Sequence, residues 1–287
     1  METRVIVTGG TKSDVAAMAV FAINIRETNA DLFDKLIIYH NGIKKKDRER
    51  IQSIFNTEFI RYEYPRKSRN DTVMSYFSTM VFCKYECLNL LNKYDVVVWS
   101  DYDVTIEGSL REITTFSNND LNVLEDDRSI RQMCYKQIDE NKYENYDLTR
   151  KGILMSLFAI SNKIPNYNQI YQWCYEKTAE YDGDIWLPEQ CVFSLALQAF
   201  HIDYTCIEEK QYSCHPRDAV GGEIVLHAMG QPKFWNGIDS EHWSRMYQKW
   251  LGMGGTPYSE KRKRLSMKLR LLKNRLFGIR SKELLEK

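Results

Sequence analysis

Two aspartates, placed two residues apart, close an apolar run near the middle of the chain. The run covers residues 94–99 and leads through Ser100 to Asp101-Tyr102-Asp103. In an extended strand, residues two apart project to the same side, so both carboxylates would emerge together. Neighbouring carboxylates repel each other unless a cation lies between them, and such oxygen ligands suit Mg²⁺ or Mn²⁺. The pair predicts a metal site that a diphosphate would complete, with solvated turn carboxylates as the alternative.

A histidine, a glycine and a lysine form a second group with spacings of three residues. They are His227, Gly230 and Lys233, and they follow the strand-like run 223–227. The imidazole offers a metal ligand, the glycine allows close backbone approach, and the ammonium suits phosphate oxygens. When a bond to a nucleoside diphosphate breaks, charge grows on the phosphate, and a metal with Lys233 would stabilise it. Taken alone, His227 also fits a buried structural histidine.

A loop with two glycines follows the first strand-like run. Its residues are Thr8-Gly9-Gly10-Thr11, and ligands in open α/β sheets bind beyond such strand ends. Thr8, Gly9 and Gly10 are therefore candidates for binding a nucleotide. The loop matches neither G-x-G-x-x-G nor the P-loop pattern, and an ordinary turn that needs positive φ is the alternative.

In their order along the chain, these motifs resemble the family 8 retaining glycosyltransferases, which include bacterial enzymes that extend lipopolysaccharide and capsule sugars. The resemblance spans most of residues 4–236 and includes the extended motif His227-x-x-Gly230-x-x-Lys233-x-Trp235. It implies a UDP-sugar donor, a saccharide or lipid-linked saccharide acceptor, and transfer with retention. It also implies that Lys233 contacts the diphosphate and that Mn²⁺, or Mg²⁺, is bound by Asp101, Asp103 and His227.

The resemblance assigns further positions around the donor. Lys84 stands where the family has a basic residue that reaches the donor, with a solvated helix lysine as the alternative, and Tyr102 joins the donor-binding set. Residues 187–193 resemble the family's Asp-Gln-Asp stretch, which places Gln190 near the anomeric carbon and makes Glu189 the closest carboxylate. Neither is thereby a nucleophile, because a helix N-terminal carboxylate favoured by the macrodipole also explains Glu189.

The sugar-reading positions depart from the family pattern. Glu189 and Cys191 occupy positions that usually carry aspartates, and a thiol does not accept sugar hydroxyl hydrogen bonds as a carboxylate does. Phe234 replaces the usual proline before Trp235. The reaction class is therefore better defined by the sequence than the sugar.

Strand-like and helix-like runs alternate along the chain, which predicts an α/β fold. The predicted strands are 4–8, 36–39, 58–62, 95–99, 153–160, 202–207 and 223–227. The predicted helices are 14–27, 45–55, 74–91, 168–181, 189–200 and 241–251. Together with the resemblance, this pattern predicts a GT-A type single domain over residues 1–258, with a mostly parallel nucleotide-binding sheet flanked by helices.

The net charge of +1 conceals a basic C-terminal segment. Residues 259–287 contain 11 Lys and Arg against 3 Asp and Glu, so the remainder of the chain is acidic. Apolar residues recur there at spacings of four and three, which predicts a basic amphipathic helix that attaches to an anionic membrane surface. Packing against the domain is the alternative. The acidic main body argues against nucleic-acid binding.

Seven cysteines without a C-x-x-C pair indicate reduced thiols rather than disulfides or a zinc site. No run approaches the roughly 18 apolar residues of a spanning helix, and the first residues lack the apolar core of a signal peptide. We therefore expect a cytoplasmic protein, peripheral on the inner face of the cell membrane through its tail.

Two other functions fit parts of the sequence. The run from Asp101 to Thr105 also fits the first motif of haloacid-dehalogenase-type phosphohydrolases, in which Asp101 would accept the phosphoryl group. That motif normally lies near the start of the chain, whereas about 100 residues precede it here, and it leaves His227 and Lys233 unexplained. A non-catalytic membrane-surface adaptor would require only the basic tail.

Overall fold

The computed structural model describes residues 2–66 and 77–260, together with residues 264, 265 and 272. Within these residues, seven strands form one sheet in the order β3-β2-β1-β4-β7-β6-β8. Four of its pairings are parallel, and β7 runs antiparallel to both of its neighbours. The strands of this sheet are β1 (Arg4–Gly10), β2 (Lys35–His40), β3 (Thr57–Arg61), β4 (Val96–Ser100), β6 (Leu121–Ser129), β7 (Lys151–Ser161) and β8 (Thr205–Ile207).

A separate two-stranded sheet lies beside the end of β4. It pairs β5 (Val104–Ile106) antiparallel with β9 (Val225–His227), and Val104 lies opposite His227. This short pairing brings two segments together that are more than 100 residues apart in the sequence.

Helices cover both faces of the large sheet, so its central strands are buried and read as continuous apolar runs. Successive residues of β1 enter different cores: Val5 and Val7 pack with α4 and α5, whereas Ile6 packs with α1 and α7. The helices are α1 (Val15–Thr28), α2 (Lys45–Ile54), α3 (Glu86–Leu90), α4 (Tyr167–Glu180), α5 (Pro188–Ala199), α6 (Glu209–Tyr212) and α7 (Glu241–Gly252).

The predicted fold class, an α/β domain with a mostly parallel sheet flanked by helices, is confirmed. All seven predicted strands are present with shifted ends, and five of the six predicted helices are present. The helix predicted over 74–91 is wrong in its described part, because a 3₁₀ segment, Thr79–Tyr85, precedes the short α3. Ser78 has a φ of 87°, which a right-handed helix cannot accommodate. Residues 74–76 lie outside the described residues.

Residues 253–258, here called the C-terminal strap, pack back onto the domain. The backbone N–H and hydroxyl of Thr256 donate to Asp47 at 3.1 and 2.7 Å, and the indole N–H of Trp250 donates to the carbonyl of Thr256 at 2.9 Å. Gly255 lies so close to Trp250 that a Cβ there would be 2.0 Å from its ring. The glycine-rich segment that interrupts the helical pattern is therefore fastened to α2 and α7.

Little of the predicted basic tail falls within the described residues. Arg264, Leu265 and Leu272 are helical, and the two leucines are 58% and 53% exposed. The remainder of that predicted helix lies outside the described residues. Within the described residues, no helix combines the length and the apolar character needed to cross a membrane.

Candidate active site

A cavity of about 360 Å³ opens at the carboxyl ends of β1 and β4. Of the candidate residues, only Thr8 does not line it, because its side chain is fully buried within β1. The structure thus brings together eleven of the candidates: Gly9, Gly10, Lys84, Asp101, Tyr102, Asp103, Glu189, Gln190, His227, Gly230 and Lys233.

The two aspartates and the histidine converge because β4 and the β5–β9 pair end beside each other. The backbone N–H of Asp101 donates to the carbonyl of Ser156 on β7 at 2.8 Å. The carbonyl of Asp103 accepts from the N–H of Ala228, the residue after His227, at 3.0 Å. One possible ligand atom from each of Asp101, Asp103 and His227 then lies within 4.8 Å of the others.

Neighbouring side chains orient these three groups. The indole N–H of Trp99 donates to Asp101 Oδ1 at 2.9 Å, and Ser213 Oγ is 3.0 Å from His227 Nδ1. The second contact leaves His227 Nε2 facing Asp103 Oδ1, at 3.4 Å. Partners of this kind fix ligand orientation in metal sites. Two carboxylates and one oriented imidazole therefore fit a divalent cation such as Mn²⁺ or Mg²⁺.

Lys233 approaches the same carboxylate from another side. Its ammonium donates to Asp103 Oδ2 and to the carbonyl of Ala228, the latter at 2.6 Å. Burial alone would raise the pKa of the Asp103 carboxyl, but the Lys233 ammonium and the His227 ring hold it well below its usual range. Gly230, in the loop between, has a φ of 70°, a conformation that favours glycine. This carboxylate is therefore ionised and faces positive charge.

Lys84 is the second lysine of the cavity, and it is buried rather than solvated. Its ammonium lies 3.3 Å from both Asp101 Oδ1 and Glu189 Oε1, and 5.7 Å from the centre of the Trp99 ring. Burial would lower the pKa of this ammonium, but the two carboxylates raise it above its ordinary value. Lys84 thus connects the proposed metal end of the cavity to the start of α5.

Gly9 and Gly10 are glycines because of space rather than backbone conformation. Neither has a positive φ, so the alternative of a positive-φ turn is wrong. A Cβ on Gly9 would lie 2.4 Å from Cys83 Sγ, and one on Gly10 would lie 2.8 Å from Cε1 of Tyr102. The Tyr102 ring in turn stacks on the ring of Trp235 at 6.1 Å. Gly9, Gly10 and these two rings line one wall of the cavity.

Glu189 and Gln190 open α5 at the other end of the cavity. Burial raises the pKa of the Glu189 carboxyl, and the Lys84 ammonium opposes that shift. Gln190 Nε2 donates to Asp126 Oδ2 at 3.1 Å. Cys191 points away into the core, where its sulfur is 3.9 Å from that of Cys134. The departure of Cys191 from the family pattern therefore does not alter the cavity.

Three further polar residues at or beside the cavity were not predicted from the sequence. Arg128 and Ser156 line the cavity, and Asp126 lies behind them, with Arg128 donating to both of its oxygens at 2.8 and 2.9 Å. Asp126 and Arg128 belong to β6, a strand that was not predicted. The spacing of two residues between Asp126 and Arg128 is typical of a strand, but the many charged residues around them in the sequence are typical of a loop.

Comparisons with known proteins place the fold. No protein-family profile matches the chain, and no curated protein matches it. Among solved structures, the galactosyltransferase LgtC in complex with donor and acceptor sugar analogs is 16% identical, with a TM-score of 0.63 over 87% of this chain and 99% of that chain. The bifunctional glycosyltransferase WbbM is 12% identical, with a TM-score of 0.60 over 94% of this chain and 52% of that one.

A third match is the glycosyltransferase GlyE from Streptococcus pneumoniae. It is 14% identical, with a TM-score of 0.56 over 88% of this chain and 64% of that one. At these identities the likeness concerns the fold. The resemblance indicated by the motifs is confirmed at that level: the chain has the GT-A fold of these glycosyltransferases.

Proposed function

We propose that the protein is a metal-dependent glycosyltransferase that transfers a hexose-type sugar from a UDP donor to a saccharide or glycolipid acceptor with retention. The observation that carries this proposal is the convergence of Asp101, Asp103, His227 and Lys233 in one cavity of a GT-A fold. LgtC, which shares the fold, is described with donor and acceptor sugar analogs.

In the proposed reaction, Asp101, Asp103 and His227 would hold the cation, which when bound would neutralise negative charge on the departing phosphate. Lys233 is placed to contribute a second positive charge to the diphosphate. Its ammonium is already directed by Asp103 and by a backbone carbonyl. Because little reorganisation is then required, its stabilisation of the developing charge is preorganised.

The two ends of the cavity suit the two halves of a nucleotide sugar. Gly9 and Gly10, which have no side chains, line one wall together with the ring of Tyr102, and this combination suits a nucleoside. Gln190 and Glu189, beyond Lys84, offer polar groups for the sugar. In this assignment the residues that hold the diphosphate lie between these two ends.

The geometry favours this reading over the phosphohydrolase. A phosphohydrolase would give no role to His227 and Lys233, both of which face Asp103. A surface adaptor gives none to the cavity.

Purified protein should release UDP from a UDP-sugar only with Mn²⁺ or Mg²⁺, and Asp103→Ala should lower that rate by at least about 100-fold. Asp127→Ala is the matched control, because the Asp127 side chain is 93% exposed. Circular dichroism checks that both variants fold. Turnover in a chelator would contradict the proposal, and phosphate release from a small phosphoester would support the hydrolase.

We further propose that residues 259–287 hold the protein on the cytoplasmic face of an anionic membrane. The proposal is supported by the positive charge of the segment and by the exposed Leu265 and Leu272. Truncation after Tyr258 should release the protein from anionic vesicles while leaving UDP-sugar hydrolysis intact. Equal vesicle binding by the truncated protein would contradict this role.

A further inference from the structure

Two buried oxygen atoms of residues that line the cavity have no hydrogen-bond partner among the described residues. They are Oε2 of Glu189 and Oγ of Ser156. Both residues line the cavity, and they are only 2% and 7% exposed. A buried polar group without a partner is costly. A ligand bound in the cavity would be able to complete the hydrogen bonding of these two atoms.

The charges that line the cavity restrict what that ligand can be. Lys84 already faces Asp101 and Glu189, and Arg128 already makes two hydrogen bonds to Asp126. The remaining lysine of the described lining, Lys233, is bonded to Asp103. Every lysine and arginine in the described lining is thus matched by a carboxylate, and none at the sugar end is left over for an anionic substituent.

The chemistry of the unpartnered atoms agrees with this balance. A carboxylate oxygen such as Glu189 Oε2 accepts hydrogen bonds and cannot donate them, and the hydroxyl of Ser156 can do both. Sugar hydroxyl groups can donate to both atoms. A carboxylate on the sugar could not donate to Glu189 and would face a like charge in a buried site.

We propose that the donor carries a neutral hexose or N-acetylhexosamine, whose hydroxyl groups donate to Glu189 and Ser156, and that the site rejects hexuronic acid donors. This inference rests on the proposed function and names the substrate class of the same cavity. The rejection follows from repulsion at Glu189 together with the absence of an unmatched cation.

The test compares the affinities of UDP and UDP-sugars in Mn²⁺ by calorimetry. The neutral donors are UDP-glucose, UDP-galactose and their N-acetylamino counterparts, and the acidic donors are UDP-glucuronate and UDP-galacturonate. The best neutral donor should bind at least about 100-fold more tightly than the better acidic one. An acidic donor that binds as tightly as the best neutral donor overturns the inference. Absence of UDP binding instead refutes the proposed function, so the two failures differ.

Two variants locate the discrimination. Glu189→Gln removes the charge and should lower the ratio of the affinities for neutral and acidic donors by about tenfold. Ser156→Ala should weaken binding of the best neutral donor by about fivefold without changing the affinity for UDP. Glu125→Gln is the control, because Glu125 lies outside the cavity and pairs with the half-exposed Lys151. If both variants keep the wild-type preference, the assignment to these atoms is refuted. Ser156→Ala, a small change, provides the test if Glu189→Gln does not fold.

Discussion

Replacing Lys233 by methionine removes the ammonium bonded to Asp103 while keeping much of the side-chain volume. Both side chains of this pair are 13% exposed. Removing one partner of a buried pair costs about 3–5 kcal/mol. His227 remains 3.4 Å from the carboxylate, and some solvent reaches it, so we expect a loss of about 2 kcal/mol, or roughly 3 °C in Tm for a chain of this length.

A divalent cation should reverse this loss, because it would supply the missing positive charge at Asp103. In the wild type, the Lys233 ammonium already satisfies that carboxylate and would repel the cation. Mn²⁺ should therefore raise the Tm of Lys233→Met more than that of the wild type. At a Mn²⁺ concentration of 100 times its Kd, binding stabilises the folded protein by about 2.7 kcal/mol. When UDP is added as well, the wild type should gain more, because Lys233 would then contact the diphosphate.

Thermal unfolding followed by circular dichroism, in chelator, in Mn²⁺ and in Mn²⁺ with UDP, measures these differences. Lys151→Met is the control: Lys151 is 51% exposed and pairs with a half-exposed Glu125, so its loss should cost under about 1 kcal/mol. The reasoning is refuted if Lys233→Met matches the wild-type Tm in chelator and shows the same response to Mn²⁺.

Three further changes test other parts of the structure. Gly255→Ala would place a methyl group 2.0 Å from the Trp250 ring and should destabilise the fold by about 2 kcal/mol or more. Gly252→Ala, whose methyl group would meet no atom within 4 Å, is the control and should be neutral or stabilising. Equal urea midpoints for the two variants would contradict this. Burial raises the folded pKa of Glu189 above its unfolded value of about 4.3, so its contribution to stability is present at lower pH and lost as pH rises through the folded pKa. Glu189→Gln should therefore gain stability relative to the wild type in urea titrations as the pH rises from about 4.3 through the folded pKa of Glu189, and a constant difference would count against this. Gly10→Ala would place a methyl group 2.8 Å from a tyrosine ring carbon and should weaken UDP binding by about tenfold, measured by calorimetry.

Some of the site could be predicted because its signals are local. Val96–Ser100 is a buried strand whose apolar run ends at two carboxylates, and strand geometry then directs both to the same edge. The spacing of His227, Gly230 and Lys233 gave the other half of the cluster. In both cases the residues lie at the end of a short strand or just after it, so their approximate position could be predicted without knowing the tertiary structure.

Other parts depend on packing that the sequence does not show. Lys84 and Glu189 meet across 105 residues, and only the approach of the Thr79–Tyr85 segment to α5 brings them together. The β6 strand escaped prediction because its second half is highly charged, and because irregularities interrupt its pairing with β7. Asp126 and Arg128 were lost with it. Long-range pairing, rather than local preference, determines this end of the cavity.

The C-terminal strap ends with the Tyr258 ring against Trp235, at 5.8 Å, and Trp235 stacks on Tyr102 in the cavity wall. Residue 259, where the basic segment begins, therefore follows directly on a residue packed against the cavity wall. If this segment attaches to a membrane as proposed, the cavity would lie near that surface, because the attached segment begins next to the cavity wall. The cavity would then reach only acceptor sugars close to the membrane. The distance of an acceptor sugar from the membrane surface would therefore help to decide whether the enzyme can use it.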